Sequence, residues 1–578
     1  MKKKLVALVI ACTMIVSVFA GCGKSEDTGK ADVTTKAEDG TTVSKSANEL
    51  VDDENENLDI TIWLYKDDYK VYDSYSENPV VDYLNKKYNC KLDFQQPAMG
   101  SEREQFSLML GTGSYTDVME VTFSTEGVAS LYEDGIIIDL APYIEKYAPN
   151  YYAFLQAPEN EDVRKALYDN EGRIFSIPTG LRKDEAYHWG GLVYRRDILE
   201  TMTGGYVSFP SGNEEMTTVE DWEYALSLMD LYFQAAGMTD YADLIIPYNG
   251  YFQTGELLNG FDAAPGIYVD GDIVKFGPAQ DNFRNYLEKM HEWYEKGYIY
   301  KDFASRTNDM FYLPNTALTY GAAAGIWYGL TSQLGGAMSM PEYGLEMTVN
   351  AIPSPLDTAH TDKGMGFLSS DADRASANTN AYVVTKTCSE AKLARFLKIC
   401  DFLFTDEGMM LRSYGLTTEQ GAADNKVYVD AGLADGAYTG IEDTFKFNDL
   451  LVPDVGQLSI DGKANSFYGI RLPGLSLYKY NNAYTGEATK KASEEWRKFG
   501  KANTYPSGIS LTAEDNDAVS SDYSNYSDYM DTMIPKFIMG YEEINDTTWA
   551  NFVERVNSLG AENSVKIYQR YYDEYLAR

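Results

Sequence analysis

Histidine and cysteine are both scarce in this 578-residue chain, and their scarcity excludes several kinds of site. The three histidines lie far apart in the sequence, at His188, His291 and His360. This separation argues against a multi-histidine metal centre, and the absence of any C-x-x-C pair argues against a zinc site. Beyond residue 22 the cysteines are Cys90, Cys388 and Cys400, an odd number that does not make a disulfide framework. We therefore predict no metal and no cofactor.

Basic residues are also few, because 49 Lys and Arg stand against 88 Asp and Glu, for a formal net charge of −39. Nucleic acid binding needs basic surfaces, so we expect no nucleic acid partner. Tyrosine, by contrast, is abundant, with 47 residues against 24 Phe and 7 Trp. Its ring is apolar and its edge carries a hydroxyl, so the excess suggests a cleft lined with aromatic platforms. Ordinary core and surface tyrosine is the alternative.

Sequence motifs of common enzyme classes are absent. The chain contains no G-x-S-x-G elbow, no H-E-x-x-H and no P-loop. The acidic stretch EDNDAVSSDYSNYSDYMD, residues 514–531, is interpreted as a solvated loop rather than a pair of catalytic carboxylates. We therefore expect a protein that is not an enzyme.

The first 57 residues have the composition of a secretory leader followed by a tether. Three lysines after Met1 precede an almost unbroken apolar run, and residues 1–21 are predicted to be a signal peptide. The sequence FAGC at the end of this run resembles the lipobox of bacterial lipoproteins, whose cysteine, here Cys22, receives a lipid. The alternative is an uncleaved membrane helix. Residues 22–57 are assigned to the lipidated cysteine and a polar, disordered tether.

Beyond residue 57 the hydrophobic pattern alternates between strands and helices. LDITIWLY (58–65), CKLDFQQ (90–96) and TDVMEVTF (116–123) predict strands, with amphipathic helices between them. This order predicts an α/β fold with mixed, mostly parallel sheets flanked by helices. About 520 residues are too many for one core, so we expect two lobes. In such sheets, ligands bind beyond the carboxyl ends of the strands, here residues 63–68 and 123–126.

Several segments, taken in order, resemble the extracellular solute-binding proteins of the carbohydrate type. They include TDVMEVTF, LYEDGIIIDLAPYIEKYAPNYYAFL, EGRIFSIPTG, WGGLVYRRDILE, AAAGIWYGL and NAYVVTKTCSEAKLARFLKICDFLFTDEGMMLRSYG. The resemblance covers essentially all of the chain beyond the leader. Within the family, it is greatest to relatives of the maltose-binding protein and to the long Gram-positive lipoproteins that bind oligosaccharides.

The resemblance implies a two-lobed, type II periplasmic-binding-protein-like fold. The first lobe would comprise residues 58–180 and 367–420, and the second would comprise residues 181–366 and 421–578. Crossings between the lobes are expected near 178–182, 365–369 and 415–421. Some relatives carry a calcium loop in the second lobe, but DGD at 270–272 is predicted to be a hairpin turn, so calcium is not expected.

The resemblance also implies a function. A monomer anchored through Cys22 to the extracellular face of the cell membrane, in a Gram-positive type of bacterium, would capture a carbohydrate between its lobes. The expected ligand is an oligosaccharide, and the expected partner is the permease of an ABC importer. Two alternatives remain open: a binding protein for a non-sugar solute such as a peptide, and a surface sensor or adhesin.

Seven residues are candidate ligand contacts: Tyr65, Asp67, Phe123, Trp189, Tyr248, Trp327 and Tyr328. The resemblance places Tyr65 and Asp67 on a loop that reaches sugar hydroxyls, and Phe123 where a relative has a stacking aromatic. Sugars combine apolar faces with hydroxyl rims, so a binding site needs aromatic planes beside polar groups.

The remaining candidates belong to the second lobe. Trp327 and Tyr328 lie between glycines on a predicted turn and are expected to stack on the ligand. Trp189 follows the first crossing, and Tyr248 lies in IIPYNGYF. For each aromatic candidate, packing in the core is the alternative. Three other tryptophans are predicted to be core residues: Trp63, Trp222 and Trp293.

Overall fold

The computed structural model describes residues 52–65, 70–188, 190–251, 257–305, 323–331, 334, 347–367, 380–452, 460–506 and 509–578. The predicted signal peptide, Cys22 and most of the predicted tether lie outside these ranges. Within them, none of the helices combines the length and the apolar composition that crossing a bilayer requires.

The strands of the described ranges are numbered in chain order. They are β1 (Leu58–Trp63), β2 (Cys90–Gln95), β3 (Val118–Glu120), β4 (Ile177–Pro178), β5 (Gly190–Arg195), β6 (Ala242–Leu244), β7 (Ile267–Asp270), β8 (Ile273–Phe276), β9 (Ala324–Leu330), β10 (Val349–Ala351), β11 (Ala381–Val384), β12 (Tyr438–Thr439) and β13 (Lys446–Phe447). The three strands predicted from the first lobe correspond to β1, β2 and β3.

The α-helices are numbered in the same way. They are α1 (Pro79–Lys87), α2 (Glu102–Thr112), α3 (Val128–Glu133), α4 (Ala141–Tyr147), α5 (Pro149–Gln156), α6 (Glu161–Leu167), α7 (Arg196–Thr203), α8 (Val219–Ala235), α9 (Asp281–Glu295), α10 (Glu390–Phe402), α11 (Asp406–Tyr414), α12 (Lys426–Ala431), α13 (Ile460–Phe467), α14 (Lys479–Ala483), α15 (Glu487–Trp496), α16 (Ala513–Ile538), α17 (Asp546–Val556) and α18 (Glu562–Ala577).

Two larger sheets organise the fold. The first has the order β2-β1-β3-β11-β4, in which β1 runs parallel to β2 and β3. The second has the order β10-β5-β9-β6, in which β9 runs parallel to β6. β11 and β5 each pair antiparallel with both neighbours, so the sheets are mixed rather than mostly parallel. Two sheets flanked by helices agree with the predicted two-lobed α/β fold.

Each larger sheet has its own hydrophobic core. The core of the first sheet contains buried side chains from 58–181 and 381–480, and the core of the second is drawn mainly from 192–352 and 526–561. The predicted core tryptophans are confirmed, since Trp63 is 5% exposed and Trp222 and Trp293 are fully buried. The rings of Trp222 and Trp293 stack with centroids 6.1 Å apart.

The assignment of residues 421–480 to the second lobe is wrong. Tyr428 and Leu472 are fully buried in the core of the first sheet, and Tyr468 is 1% exposed there. The segment therefore completes the first core. Residues 526–561, by contrast, pack in the core of the second sheet, as expected of the last part of the chain.

The predicted end of the tether also needs correction, because residues 52–57 are held by α10. Arg395, on this helix, is 1% exposed and its Nη2 lies 2.7 Å from Oδ1 of Asp52. Lys398 Nζ lies 3.0 Å from the other carboxylate oxygen. Burial alone would raise the pKa of Asp52, but hydrogen bonds from Arg395 and Lys398 lower it below its usual value.

The acidic stretch 514–531 is helical, which corrects the prediction of a solvated loop. It forms most of α16, and the side chain of Thr512 caps this helix by accepting from the Asp515 N–H at 3.4 Å. The buried positions Val519, Tyr526, Met530 and Ile534 recur at helical spacing. That stripe was visible in the sequence, but the many acidic and serine residues between its members obscured it.

Candidate functional site

One crossing of the chain connects the strand-end edges of the two larger sheets. β1 and β3 end at the edge where β11 begins, since Glu120 pairs with Tyr382, and β4 ends there too, since Pro178 pairs with Ala381. From that edge residues 179–189 lead to Gly190, which pairs with Leu330 at the end of β9. β6, parallel to β9, ends on the same side. The crossing therefore joins the two strand-end edges at which ligands of α/β sheets bind.

Tyr65 and Phe123 meet at the edge of the first sheet. Their ring centroids are 5.0 Å apart in an edge-to-face arrangement, with an interplanar angle of 79°. The guanidinium of Arg471 lies 4.3 Å from the Tyr65 centroid, which is cation–π geometry. Sequence reasoning missed Arg471 because it assigned the segment around it to the other lobe. The structure thus brings together two predicted residues and one that was not predicted.

A buried carboxyl lies beside this aromatic pair. Glu120 ends β3, is 1% exposed, and has a pKa raised to about 7 by burial, against the lowering influence of Thr122 and Arg471. Thr122 donates its hydroxyl to Glu120 and accepts the Asn380 N–H at 2.8 Å. The Asn380 carbonyl in turn accepts the Thr179 N–H at 2.7 Å. Hydrogen bonds therefore connect Glu120, through Thr122, to the residue just before β11 and to the residue just after β4.

The second half of the candidate site is a cavity of about 620 Å³ between the loop after β6 and α16. The predicted contact Tyr248 lines it and donates its hydroxyl to Asp531 on α16 at 3.2 Å. Its described lining is Tyr248, Asn249, Tyr251, Pro265, Gly266, Ile267, Phe276, Phe367, Asn516, Val519, Ser520, Tyr523, Tyr526, Ser527, Met530, Asp531 and Tyr568. We call it the α16 cavity.

The lining of the α16 cavity combines flat aromatic faces with hydrogen-bonding groups. Tyr523 is 61% exposed, so its ring is available to a ligand. Asp531, Asn249 and Asn516 supply carboxylate and amide groups. Burial raises the pKa of Asp531, the nearby Asp528 adds to this, and the hydrogen bond from Tyr248 opposes it. This arrangement suits a ligand with apolar faces and a hydroxyl rim.

α16 also extends toward the first sheet. Asp515, in its first turn, and α3 of the first lobe line a second cavity, of about 450 Å³. Burial raises the pKa of Glu126, in the loop after β3, and the neighbouring charges of Asp134 and of Asp517 on α16 raise it further. One helix therefore approaches the strand-end loops of the first lobe at its start and Tyr248 of the second lobe near its end.

Trp327 and Tyr328 do not lie on a turn, which corrects the prediction for both. They lie within β9, between β5 and β6, and are 1% and 3% exposed. Successive strand residues point to opposite faces, and accordingly Trp327 packs in a core cluster with Trp496, while Tyr328 joins the main core of the second sheet. Both rings therefore pack in the core, which was the alternative to ligand contact.

Asp67 and Trp189 lie outside the described residues, so their roles stay predictions. The predicted hairpin turn at 270–272 is confirmed, because β7 and β8 pair antiparallel around Gly271, whose φ is +61°. In the described ranges no group of three or more His, Cys, Asp or Glu side chains is placed to hold a metal ion.

Comparison with solved structures identifies proteins that have the same fold as this chain. No protein-family model matches the sequence, and no curated protein matches it either. Among solved structures, an extracellular solute-binding protein from Bifidobacterium longum subsp. infantis superposes with a TM-score of 0.67 at 17% identity, covering 91% of this chain and 100% of the other. An HMO-binding, ABC-transporter-associated solute-binding protein from Bifidobacterium longum infantis gives 0.66 at 17% identity, covering 90% and 99%.

A third similar structure is the alginate-binding protein AlgQ2 without calcium ion, with a TM-score of 0.62 at 17% identity, covering 92% of this chain and 100% of the other. Coverage of nine-tenths or more on both sides shows that the chain has the fold of these solute-binding proteins. All three similar structures are of binding proteins.

Proposed function

We propose that this protein captures a carbohydrate, an oligosaccharide in particular, in the cleft between its two lobes and delivers it to the permease of an ABC importer. The observation that carries the proposal is the α16 cavity, in which an exposed tyrosine ring adjoins carboxylate and amide groups. Binding proteins for HMO and alginate share the fold, which supports the same ligand class here. A binding protein without catalytic activity accounts for these features.

Capture would proceed by closure of the lobes about the crossings. The first lobe would contribute the pair Tyr65 and Phe123, and the second would contribute Tyr248 with the α16 cavity. Because an aromatic face covers the apolar side of a sugar ring while carboxylates and amides accept its hydroxyls, the two halves together bind both kinds of surface. Asp67 and Trp189 are proposed as further contacts from the loops beside these halves.

We also propose a location. Lipid on Cys22 would anchor a monomer to the extracellular face of the cell membrane, and the polar segment after it would serve as a tether. Two acyl chains suffice for stable anchoring of a soluble domain. In cells, the Cys22→Ser variant should appear in the medium rather than in the membrane fraction, and retention of this variant in the membrane would contradict the anchor.

The central test is a thermal-shift screen of the lipid-free mature chain, residues 23–578, against oligosaccharides, uronates, amino acids and short peptides. A ligand present at a hundred times its Kd adds about 2.7 kcal/mol to the free energy of unfolding, which produces a visible shift of Tm. We expect a shift with an oligosaccharide. A shift with peptides alone would keep the fold but overturn the ligand class, and no shift with any compound would count against solute capture.

A matched pair of variants tests the location of the site. Tyr523→Ala removes an exposed ring that lines the α16 cavity, whereas Tyr541→Ala removes a ring that is 77% exposed and does not line it. Loss of the stacking surface should weaken binding of the oligosaccharide found in the screen by roughly 1–3 kcal/mol. The control should bind as the parent does, so equal affinities for the two variants, measured by calorimetry, would remove the α16 cavity from the site.

A further inference from the structure

We propose that the α16 cavity takes an uncharged, hydroxyl-rich sugar residue and rejects carboxylated, sulfated and phosphorylated ones. This inference deepens the proposed function and rests on it. It names the class of sugar rather than only the class of ligand.

The charge of the described lining is the first argument. Asp531 is its only carboxylic acid, and none of the described lining residues is Lys or Arg. An anionic sugar held there would bring a second negative charge close to the Asp531 carboxylate, and no cation of the described lining would balance it. Asp531 is exposed, and at about 4 Å near a protein surface such repulsion corresponds to a loss of affinity of about a hundredfold or more.

The fit to a neutral sugar is the second argument. Asp531 can accept two or more hydroxyl hydrogen bonds, and it already accepts one from Tyr248 at 3.2 Å. Asn249, Asn516, Ser520 and Ser527 can each donate and accept, as hydroxyl groups require. The aromatic lining covers the apolar face of a pyranose or furanose ring. The donors and acceptors of these side chains thus match those of an uncharged sugar.

The surroundings of the cavity strengthen the rejection of anions. On α16 itself, Asp528 lies one turn before Asp531 and raises its pKa, as burial does, so added negative charge is already disfavoured here. In the first lobe, Arg471 brings a positive charge, but the Arg471 guanidinium acts on the buried carboxyl of Glu120 and lies over Tyr65. It is therefore part of a local charge balance rather than a dedicated anion site.

The test uses sugars matched in backbone and different in charge. The lipid-free mature chain is titrated in a calorimeter with β-1,4-mannan oligosaccharides against β-1,4-linked oligomannuronates, and with α-1,4-linked galacto-oligosaccharides against oligogalacturonates. We expect the neutral member of the recognised pair to bind, and its acid counterpart to bind at least about a hundredfold more weakly. An acid member that binds as tightly as its neutral partner, or more tightly, would overturn the inference while leaving the proposed function in place.

Two variants of equal charge change then identify the group responsible. Asp531→Asn removes the lining carboxylate, and Glu514→Gln removes an exposed carboxylate of the same helix that does not line the cavity. Asp531→Asn should weaken the neutral sugar about tenfold or more, the value of a hydrogen bond to a charged group, and should strengthen binding of the acid sugar. Glu514→Gln should change neither by more than about twofold.

The outcomes separate the two proposals. If the two variants alter selectivity equally, the rejection does not come from the cavity and the inference is wrong. If neither member of any pair binds, and the wider screen is also negative, the proposed function itself fails and the inference fails with it. The wild-type comparison decides the charge preference even where a variant does not fold.

Discussion

β9 and α16 present aromatic residues in opposite settings. In β9, Trp327 and Tyr328 lie between glycines in an apolar run, whereas in α16, Tyr523 and Tyr526 lie in an acidic run rich in serine. The sequence analysis expected the first pair to touch ligand and the second stretch to be a solvated loop. In the structure the first pair is buried, and the second pair lines the α16 cavity. Apolar neighbours therefore indicated burial, not a binding platform.

The difference follows from how each element is packed. β9 has hydrogen-bonded strands on both sides and core clusters on both faces, so all of its side chains except that of Leu330 are buried. α16 has one buried stripe, and the stripe residues Val519, Tyr526 and Met530 line the cavity together with the exposed Tyr523 beside them. A helix that packs along one stripe can present aromatic rings to a ligand, whereas a central strand covered on both faces cannot.

The largest expected effect is a difference in the free energy of unfolding between a variant in β9 and a variant in α16. Trp327→Ala leaves a void in a fully packed core and should lower the free energy of unfolding by about 3–5 kcal/mol. Tyr523→Ala, at an exposed position, should change it by less than about 0.5 kcal/mol. Urea denaturation of both variants measures the contrast. Equal stabilities would mean that Trp327 is not held as a core residue, and would restore it as a candidate contact.

A buried acid in the sheet that contains β9 should make the stability of the protein depend on pH. Asp243 in β6 is fully buried, and neither of its carboxyl oxygens has a hydrogen-bond partner among the residues that the structure describes. Burial, followed by the charge of Asp230, raises its pKa to about 9. The folded state therefore holds a proton that the unfolded state releases near its ordinary pKa of 3.8. The contribution to stability is fully present below that value and is lost as the pH rises toward about 9.

The expected slope is at most about 1.4 kcal/mol per pH unit, because one proton is involved. Urea midpoints between pH 5 and pH 8.5 measure it, with Asp243→Asn as the reference because the amide cannot ionise. The parent should lose more stability than this variant as the pH rises. Parallel curves for the two proteins would show that Asp243 is not the buried acid responsible.

The smallest effect concerns the start of α16. Thr512→Ala removes the hydroxyl that accepts from the Asp515 N–H and donates to its carboxylate at 2.9 Å, and should cost about 1 kcal/mol of stability. Thr512→Ser keeps a hydroxyl and serves as the control. The alanine variant should unfold at a lower urea concentration than the serine variant. Coincident curves would indicate that the helix does not depend on this cap.

Much of the first lobe could be predicted from short patterns. The alternation in LDITIWLY predicted β1, and the order of strands and helices predicted an α/β fold. Core assignments for Trp222 and Trp293 were confirmed because both lie on helices with regular apolar spacing. The meeting of Tyr65 and Phe123 followed from the rule that parallel strands end at one edge.

The parts that were missed depend on contacts between distant segments. Arg471 contacts Tyr65 although the two residue numbers differ by 406. No local sequence pattern indicates a contact over such a separation. Asp52 meets Arg395 in the same way, so the boundary of the tether could not be placed from composition alone. Trp327 was misjudged because a turn and a glycine-containing strand have similar composition.

For β1, β2, β3 and the helices that carry Trp222 and Trp293, the sequence by itself determined the element and its buried face, because the spacing of apolar residues is a local property of the chain. Only the tertiary structure decided that β9 is covered on both faces, that residues 421–480 complete the first core, and that α16 lines a cavity beside Tyr248. Those outcomes depend on which elements bury their apolar faces against one another, a choice made by the whole chain rather than by any one segment.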